Sequence, residues 1–212
     1  MARTADNFER SLFINCPFDA DYLPLLQLLI FTVLECRLEP RIALEQADSG
    51  EVRFHKIRDL IQGCRFSIHD ISRIEPLGEG DLPRFNMPFE LGLDLGGRYF
   101  GAGRLAGKQC LILERERFRY QKVLSGLSGN DIRAHGGDPL TLVTEVRNWL
   151  KVVTRQRLQS GNTIWERYSD FRKELEVIFS LRSYSSRDVQ FLEVVEYMEF
   201  VRDWRAGLSN PL

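Results

Sequence analysis

The sequence predicts an α/β fold, a mainly parallel sheet with helices on both faces, and three observations carry that expectation. Short apolar runs at 11–15 (SLFIN), 40–44 (PRIAL), 65–71 (RFSIHDI) and 109–113 (QCLIL) read as strands. Between them lie segments of about a dozen residues with helical apolar spacing, the kind of crossover that parallel neighbours require. With 212 residues, 43% of them hydrophobic, the chain can bury a sizeable core in one domain with a substantial appendage.

The first seven residues are polar and read as loose, and the strand at 11–15 follows. Residues 22–35 are apolar almost all round, which marks a buried helix. After the strand at 40–44, Asp48-Ser49-Gly50 makes a turn. Residues 52–63 then place Phe54, Ile57, Leu60 and Ile61 among charged positions and close on Gly63, an amphipathic helix. The third strand leads into a polar, Pro/Gly-rich loop that ends at Phe85. Pro88 opens the next helix, Leu91, Leu93 and Leu95 give it apolar contact, and Gly96-Gly97 is expected to end it.

Beyond the fourth strand, 114–124 is charged and amphipathic and 125–131 is a loop of turn formers. Asp138-Pro139 reads as an N-cap with proline at the first helical position, opening a helix through about Arg155. A second helix is expected from Asn162 or Thr163 to Leu181, and a third over 186–207 from a serine cap. That last segment carries Phe191, Val194, Met198 and Val201 at helical spacing, widened by Leu192, Val195, Phe200 and Trp204. So much apolar surface exceeds one packing face, so it is expected either to wedge into the core or to meet another copy of the chain.

Composition excludes several functions. Net charge is −1 with 28% charged residues, so no global field favours nucleic acid or an anionic membrane. The longest apolar run, 23–34, carries Pro24 and Gln27, too short and too interrupted to span a bilayer. No basic-plus-apolar leader opens the sequence, and a cytoplasmic location is expected. Cys16, Cys36, Cys64 and Cys110 show neither CxxC nor zinc-type spacing with histidine, so they read as reduced core thiols and no metal is expected. Phosphate-loop, nucleophile-elbow and HExxH patterns are absent.

What remains is an acid beside an open loop. Glu90 falls near the start of a helix, where the macrodipole favours an ionised carboxylate. Ligands of parallel sheets bind at the carboxyl ends of the strands, and the loops there bring Phe18, Asp19, His69, Asp70 and Glu90 into one candidate site. First-turn acids are also common for structural reasons alone.

Three segments together, FINCPFD after the first strand, CRFSIHDISR at the third and FNMPFELGLDLG opening the next helix, resemble the nucleoside 2-deoxyribosyltransferase-like and TIR-like superfamily, in particular its bacterial, defence-associated branch. The resemblance covers roughly residues 11–115. It implies a flavodoxin-like sheet, a domain over 8–155, and an enzyme acting on an N-glycosidic bond, with NAD or a related nucleotide as substrate and no cofactor. Within the matching FELG, it implies that Glu90 is the catalytic carboxylate. It further implies that Asp70 helps hold the sugar or base and that Phe18 and Asp19 line the pocket; the chemistry of such a bond then makes Asn86 and Asp70 the hydroxyl-binding partners and Phe18 or Phe89 a stacking surface, with His69 beside them in the converging loops. The segment before Glu90, PRFNMP, differs from the aspartate and Gly-Thr pair usual in the transferases. The alternatives are a non-catalytic nucleotide-binding or protein-interaction module of a defence system, with a partner protein, and a nucleoside 2-deoxyribosyltransferase. Residues 156–212 are expected to form a C-terminal helical extension that assembles homo-oligomers through Phe191, Met198 and Trp204.

Overall fold

The computed structural model describes residues 7–45, 48–76 and 78–207. Residues 1–6, where the loose start was expected, and 208–212 of the expected extension lie outside the described residues, as do two positions of the 45–51 loop. The elements in order are β1 (Ser11–Asn15), α1 (Leu23–Glu35), β2 (Glu39–Arg41), α2 (Arg53–Gly63), β3 (Phe66–Asp70), α3 (Asn86–Phe100) and β4 (Gln109–Glu114). After them come β5 (Arg133–Ala134), α4 (Pro139–Thr154), α5 (Gly161–Leu181), α6 (Ser186–Gln190) and α7 (Val194–Arg205). All pairings are parallel, in the order β2-β1-β3-β4-β5, the flavodoxin-like arrangement. No helix among the described residues is long and apolar enough to cross a membrane.

Strand alternation sorts the sheet into two faces. Leu12, Ile14, Phe66, Ile68, Leu111 and Leu113 face one core with α1, α4, α5 and α7. On the other face Phe13 packs with Ile57, Leu60 and Ile61 of α2, and Ile71 and Ile112 pack with Met87 and Leu91 of α3.

The all-round apolarity of α1 follows from its place in the middle of three layers. The sheet covers one side, and α5 and α7 cover the other. Phe31 of α1 contacts the rings of Tyr168, Phe171 and Trp204. Ion pairs rim this contact: Arg167 and Arg205 reach Glu35 at 2.8 and 2.9 Å, and Arg202 pairs with Glu39. The C-terminal helices therefore complete the sheet's own core. Met198 is buried there and Trp204 packs on it, so both side chains expected between chains are engaged within this one, and Phe191 alone of the three stays exposed, at 68%.

Several boundaries differ from expectation for physical reasons. The third C-terminal helix is two: α6 is capped by Ser185, whose capping box with Asp188 is complete, and the chain breaks before α7 so that Val194, Tyr197, Met198 and Val201 can land on the core. Residues 43 and 44, the end of the expected second strand, belong instead to a 3₁₀ turn over Ala43–Glu45. Gly96-Gly97 does not stop α3, since each glycine costs only about 1 kcal/mol in a helix, and the helix runs on to the extended Gly101. A Cβ at Gly101 would collide with the carbonyl of Gly97. Strand β5 has two residues and follows a crossover of 3₁₀ turns, too short to leave a periodic signal.

Because one core joins the sheet to α5 and α7, we expect Phe171→Ala to lower stability by about 3–5 kcal/mol. Urea unfolding followed by circular dichroism should stay a single transition. A separate early loss of the C-terminal helices would contradict the shared core.

Candidate functional site

In this strand order the chain reverses direction across the sheet between β1 and β3, with α1 on one face and α2 and α3 on the other. Ligands of such sheets sit in the crevice at that reversal, beyond the strands' carboxyl ends. Cys16, the residue after β1, marks the place. Its thiol is fully buried and pushed well up by burial first, then by the negative charges of Asp70, Asp19 and Glu90. Three of the carboxylates expected at the site thus act on one sulfur. The thiol is held protonated, the opposite of an activated nucleophile.

Asp70 ends β3 on the α1 face and has no solvent exposure. Its Oδ2 accepts from the Tyr22 hydroxyl at 2.5 Å and lies 3.1 Å from His135 Nε2, and its Oδ1 accepts from the Ser72 N–H at 2.9 Å. The tautomer of His135 follows from its other nitrogen, because Nδ1 accepts from the Gly137 N–H at 3.0 Å and Nε2 therefore carries the proton. Burial opposes ionisation of Asp70, but bonds from His135, Ser72 and Tyr22 outweigh it and hold the carboxyl below its usual range. Ser72 Oγ is also 3.1 Å from Nε2. Serine and aspartate share one ring nitrogen, so this is not the relay of a serine hydrolase, which uses both. A cleft of about 270 Å³ opens over Tyr22, Ser72 and His135, with Arg73, Arg115 and Arg119 around it. Two of those guanidinium groups are paired internally, Arg73 with Asp19 and Arg119 with the buried Glu114.

Glu90 lies on the opposite face. Because α3 begins at Asn86, Glu90 is its fifth residue and belongs to the second turn, so the macrodipole is not what sets its charge. It is 5% exposed, and burial raises its pKa, partly offset by the Arg53 guanidinium 3.5 Å away at the start of α2. Arg53 itself is half exposed. Beside this pair, Phe54 and Phe89 leave 46% and 57% of their surface in solvent with ring centroids 6.4 Å apart. Phe85, one turn before Phe89, is exposed too. The result is a desolvated carboxylate paired with one cation, with an exposed aromatic ring on the residue next to each member of the pair.

His69 does not join Asp70. Adjacent strand residues point to opposite faces, and His69 sits under α3, fully buried, against the ring of Phe13. Asn15 Nδ2 donates to the Met87 carbonyl at 3.0 Å and lies 2.9 Å from His69 Nδ1, so Nδ1 is the acceptor and Nε2–H donates to Asp94 at 3.0 Å. Asp94 also meets Lys108 Nζ at 3.2 Å, and Nζ donates to the carbonyls of Ile61 and Cys64 at 2.6 Å, capping the end of α2. Burial works against the Asp94 charge, yet His69 and Lys108 hold its carboxyl low. His69, Asp94 and Cys110 come within 4.8 Å of one another, the one group of metal-ligating side chains among the described residues. Burial and Asp94 push the Cys110 thiol up to about 12, and the Lys108 ammonium already balances Asp94. A cation there would have to displace a buried ammonium and ionise a reluctant thiol.

Of the remaining expected residues, Phe18 packs on the α1-side core, Asp19 accepts from Arg73 at 2.7 Å and from the Tyr22 N–H at 3.1 Å, and Asn86 is exposed at the start of α3. Sequence reasoning missed Asn15, Tyr22, Arg53, Ser72, Asp94, Lys108 and His135. A period-two reading of β1 and β3 signals Asn15, which shares the face of Phe13 and His69. Tyr22, Ser72 and Asp94 lie within four residues of Asp19, Asp70 and Glu90 but carry no motif of their own, and Arg53, Lys108 and His135 come from distant parts of the chain. No family model, curated protein or solved structure matches the chain.

The two carboxylates predict opposite pH behaviour. Asp70 has a lowered folded pKa, so its contribution is present above about pH 4, the unfolded value, and is lost as pH falls through the folded one. Asp70→Asn should cost about 1–3 kcal/mol at neutral pH and flatten the acid limb of a stability profile. Glu90 has a raised folded pKa, so its ionised form is a burden at neutral pH that lifts as pH falls through that value. Glu90→Gln should raise the thermal midpoint at pH 7–8, with the gain shrinking toward pH 4. A Glu90→Gln protein destabilised at pH 7 would show that Arg53 outweighs burial.

Proposed function

We propose that the chain cleaves the N-glycosidic bond of NAD or a related nucleotide, with Glu90 as the catalytic carboxylate. The observation that carries this reading is Glu90 itself: a carboxylate 5% exposed, its ionisation opposed by burial, at the crevice where ligands of this fold bind. The FELG resemblance points to the same residue. Breaking a C1′–N bond passes through an oxocarbenium-like state, and a desolvated carboxylate stabilises that positive carbon more strongly than one in water, or captures it covalently. Nicotinamide is already cationic in NAD and leaves as a neutral base, so no general acid is needed. The base departs with the bonding electrons, and water or another hydroxyl closes the anomeric carbon, giving hydrolysis, cyclisation or transfer according to which one attacks.

The open rings of Phe54 and Phe89 suit a flat heterocycle held beside that carboxylate. Asp70 is read here as a support of the crevice, since its oxygens already accept bonds from Tyr22, Ser72 and His135. Arg53 favours a second reading. It neutralises Glu90 in the structure described, and a site that stays so paired would bind a nucleotide or a partner protein without turnover. Under either reading the defence-associated resemblance makes a signalling or antiphage role the natural setting.

Incubation of the protein with NAD, and separately with deoxynucleosides, should release free base from NAD on chromatography. Glu90→Gln keeps the side chain's volume without its charge and should slow release by about a hundredfold or more. Full activity in that variant would overturn the catalytic assignment. A wild-type protein that binds NAD and releases nothing would favour the binding module.

A further inference from the structure

Of the seven phenylalanine and tyrosine rings that stay exposed among the described residues, four belong to one helix: Phe85, Phe89, Tyr99 and Phe100, at 69, 57, 65 and 92%. Phe85 precedes α3 in helical conformation, so it shares the register of the helix. Met87, Glu90, Leu91 and Asp94 turn inward. Phe85, Phe89, Gly92, Gly96 and Tyr99, spaced by four, three, four and three residues, therefore fall on the opposite side. That face carries rings toward both ends and bare backbone in its middle. Phe89, whose ring approaches Phe54, stands at its edge.

The two glycines serve no packing need of their own chain. A Cβ at Gly92 would meet nothing, and one at Gly96 would only touch the Phe100 ring at 4.0 Å. Glycine inside a helix weakens it, and bare backbone is of use where another chain comes close. Beside the rings runs an apolar trough of about 310 Å³ between α3 and the 124–127 turn, walled by Leu91, Leu95, Leu124 and Leu127 and reaching Gly92. Ridge and trough thus lie on one surface and meet at Gly92.

A surface that carries both a projection and a recess fits a second copy of itself, because a two-fold axis applies each feature twice. The area agrees. An aromatic side chain covers about 150–250 Å², so at these exposures the four rings leave about 400–700 Å² open per chain, before the trough is counted. A stable interface takes about 800 Å² from each partner, and apolar patches of this size mark interaction sites.

We propose that the outer face of α3 is a homodimer interface, two copies pairing about a two-fold axis close to Gly92 so that the aromatic ridge of each lies in the trough of the other. The interface is independent of the N-glycosidic reading and stands whether or not NAD is cleaved.

Sedimentation velocity of the whole chain at micromolar concentration should show a species of twice the mass of one chain. Gly92→Lys adds a side chain where the chain itself leaves open space and sets two cations beside the axis, and Phe100→Lys replaces the most exposed ring. Each should weaken self-association by about tenfold or more, with the helical circular dichroism unchanged. Gly92→Cys should form a disulfide between chains on mild oxidation, whereas Val177→Cys, exposed on α5, should not. A monomer at every concentration, or a dimer that both lysine variants leave intact, would overturn the inference. So would a monomer that sediments with phosphatidylcholine vesicles, since the rings would then meet lipid and not a second copy.

Discussion

One amide nitrogen joins the elements on which the candidate site depends. Asn15 Nδ2, at the end of β1, donates to the Met87 carbonyl in the first turn of α3 and reaches His69 Nδ1 on β3. That contact sets the ring of His69, the ring sets Asp94, and Asp94 meets the lysine that caps α2. A chain of buried polar groups thus ties the sheet to both helices on one face. Glu90 is carried by α3 three residues past Met87, so its position follows from this chain more than from any contact of its own. Arg53, the only cation described at Glu90, starts the helix that Lys108 caps at the other end.

The two faces of the sheet handle buried charge in opposite ways. On the α1 side Asp70 is supplied with donors and stays ionised despite complete burial. On the α3 side Glu90 has, among the described residues, one half-exposed guanidinium and no comparable set of donors, and burial dominates. Environments that push two carboxylates apart in this way commonly assign them different roles. The satisfied acid fits a structural task and the strained one a chemical task. The same logic removes Cys16, whose thiol is hemmed in by three acids, and the His69–Asp94–Cys110 group, whose charge is already balanced, from the list of reactive centres.

The C-terminal helices show how burial decides what a surface is for. The apolar excess of α1 and that of α7 are complementary, and Phe31, Phe171, Tyr197 and Trp204 meet between them. Seen singly, each helix is too apolar for one packing face. Together they form a third layer whose rim is closed by Arg167, Arg202 and Arg205 on acids of the first fifty residues.

Read alone, the sequence determined the alternation of strands and helices, the parallel character of the sheet and the Asp138 cap. These rest on periodicity, capping and turn chemistry, which are local. It grouped His69 with Asp70 because they adjoin in the chain, whereas the pleat sends neighbours to opposite faces and only the packed helices show what each face offers. It read Glu90 as a first-turn acid favoured by the dipole, whereas α3 begins two residues earlier than Pro88 and burial governs the charge instead. Arg53 and His135 reach Glu90 and Asp70 from elements tens of residues away, and Tyr22 reaches Asp70 across 48 positions. Hydrogen-bond satisfaction and desolvation are sums over all surrounding groups, so tertiary structure alone could decide them.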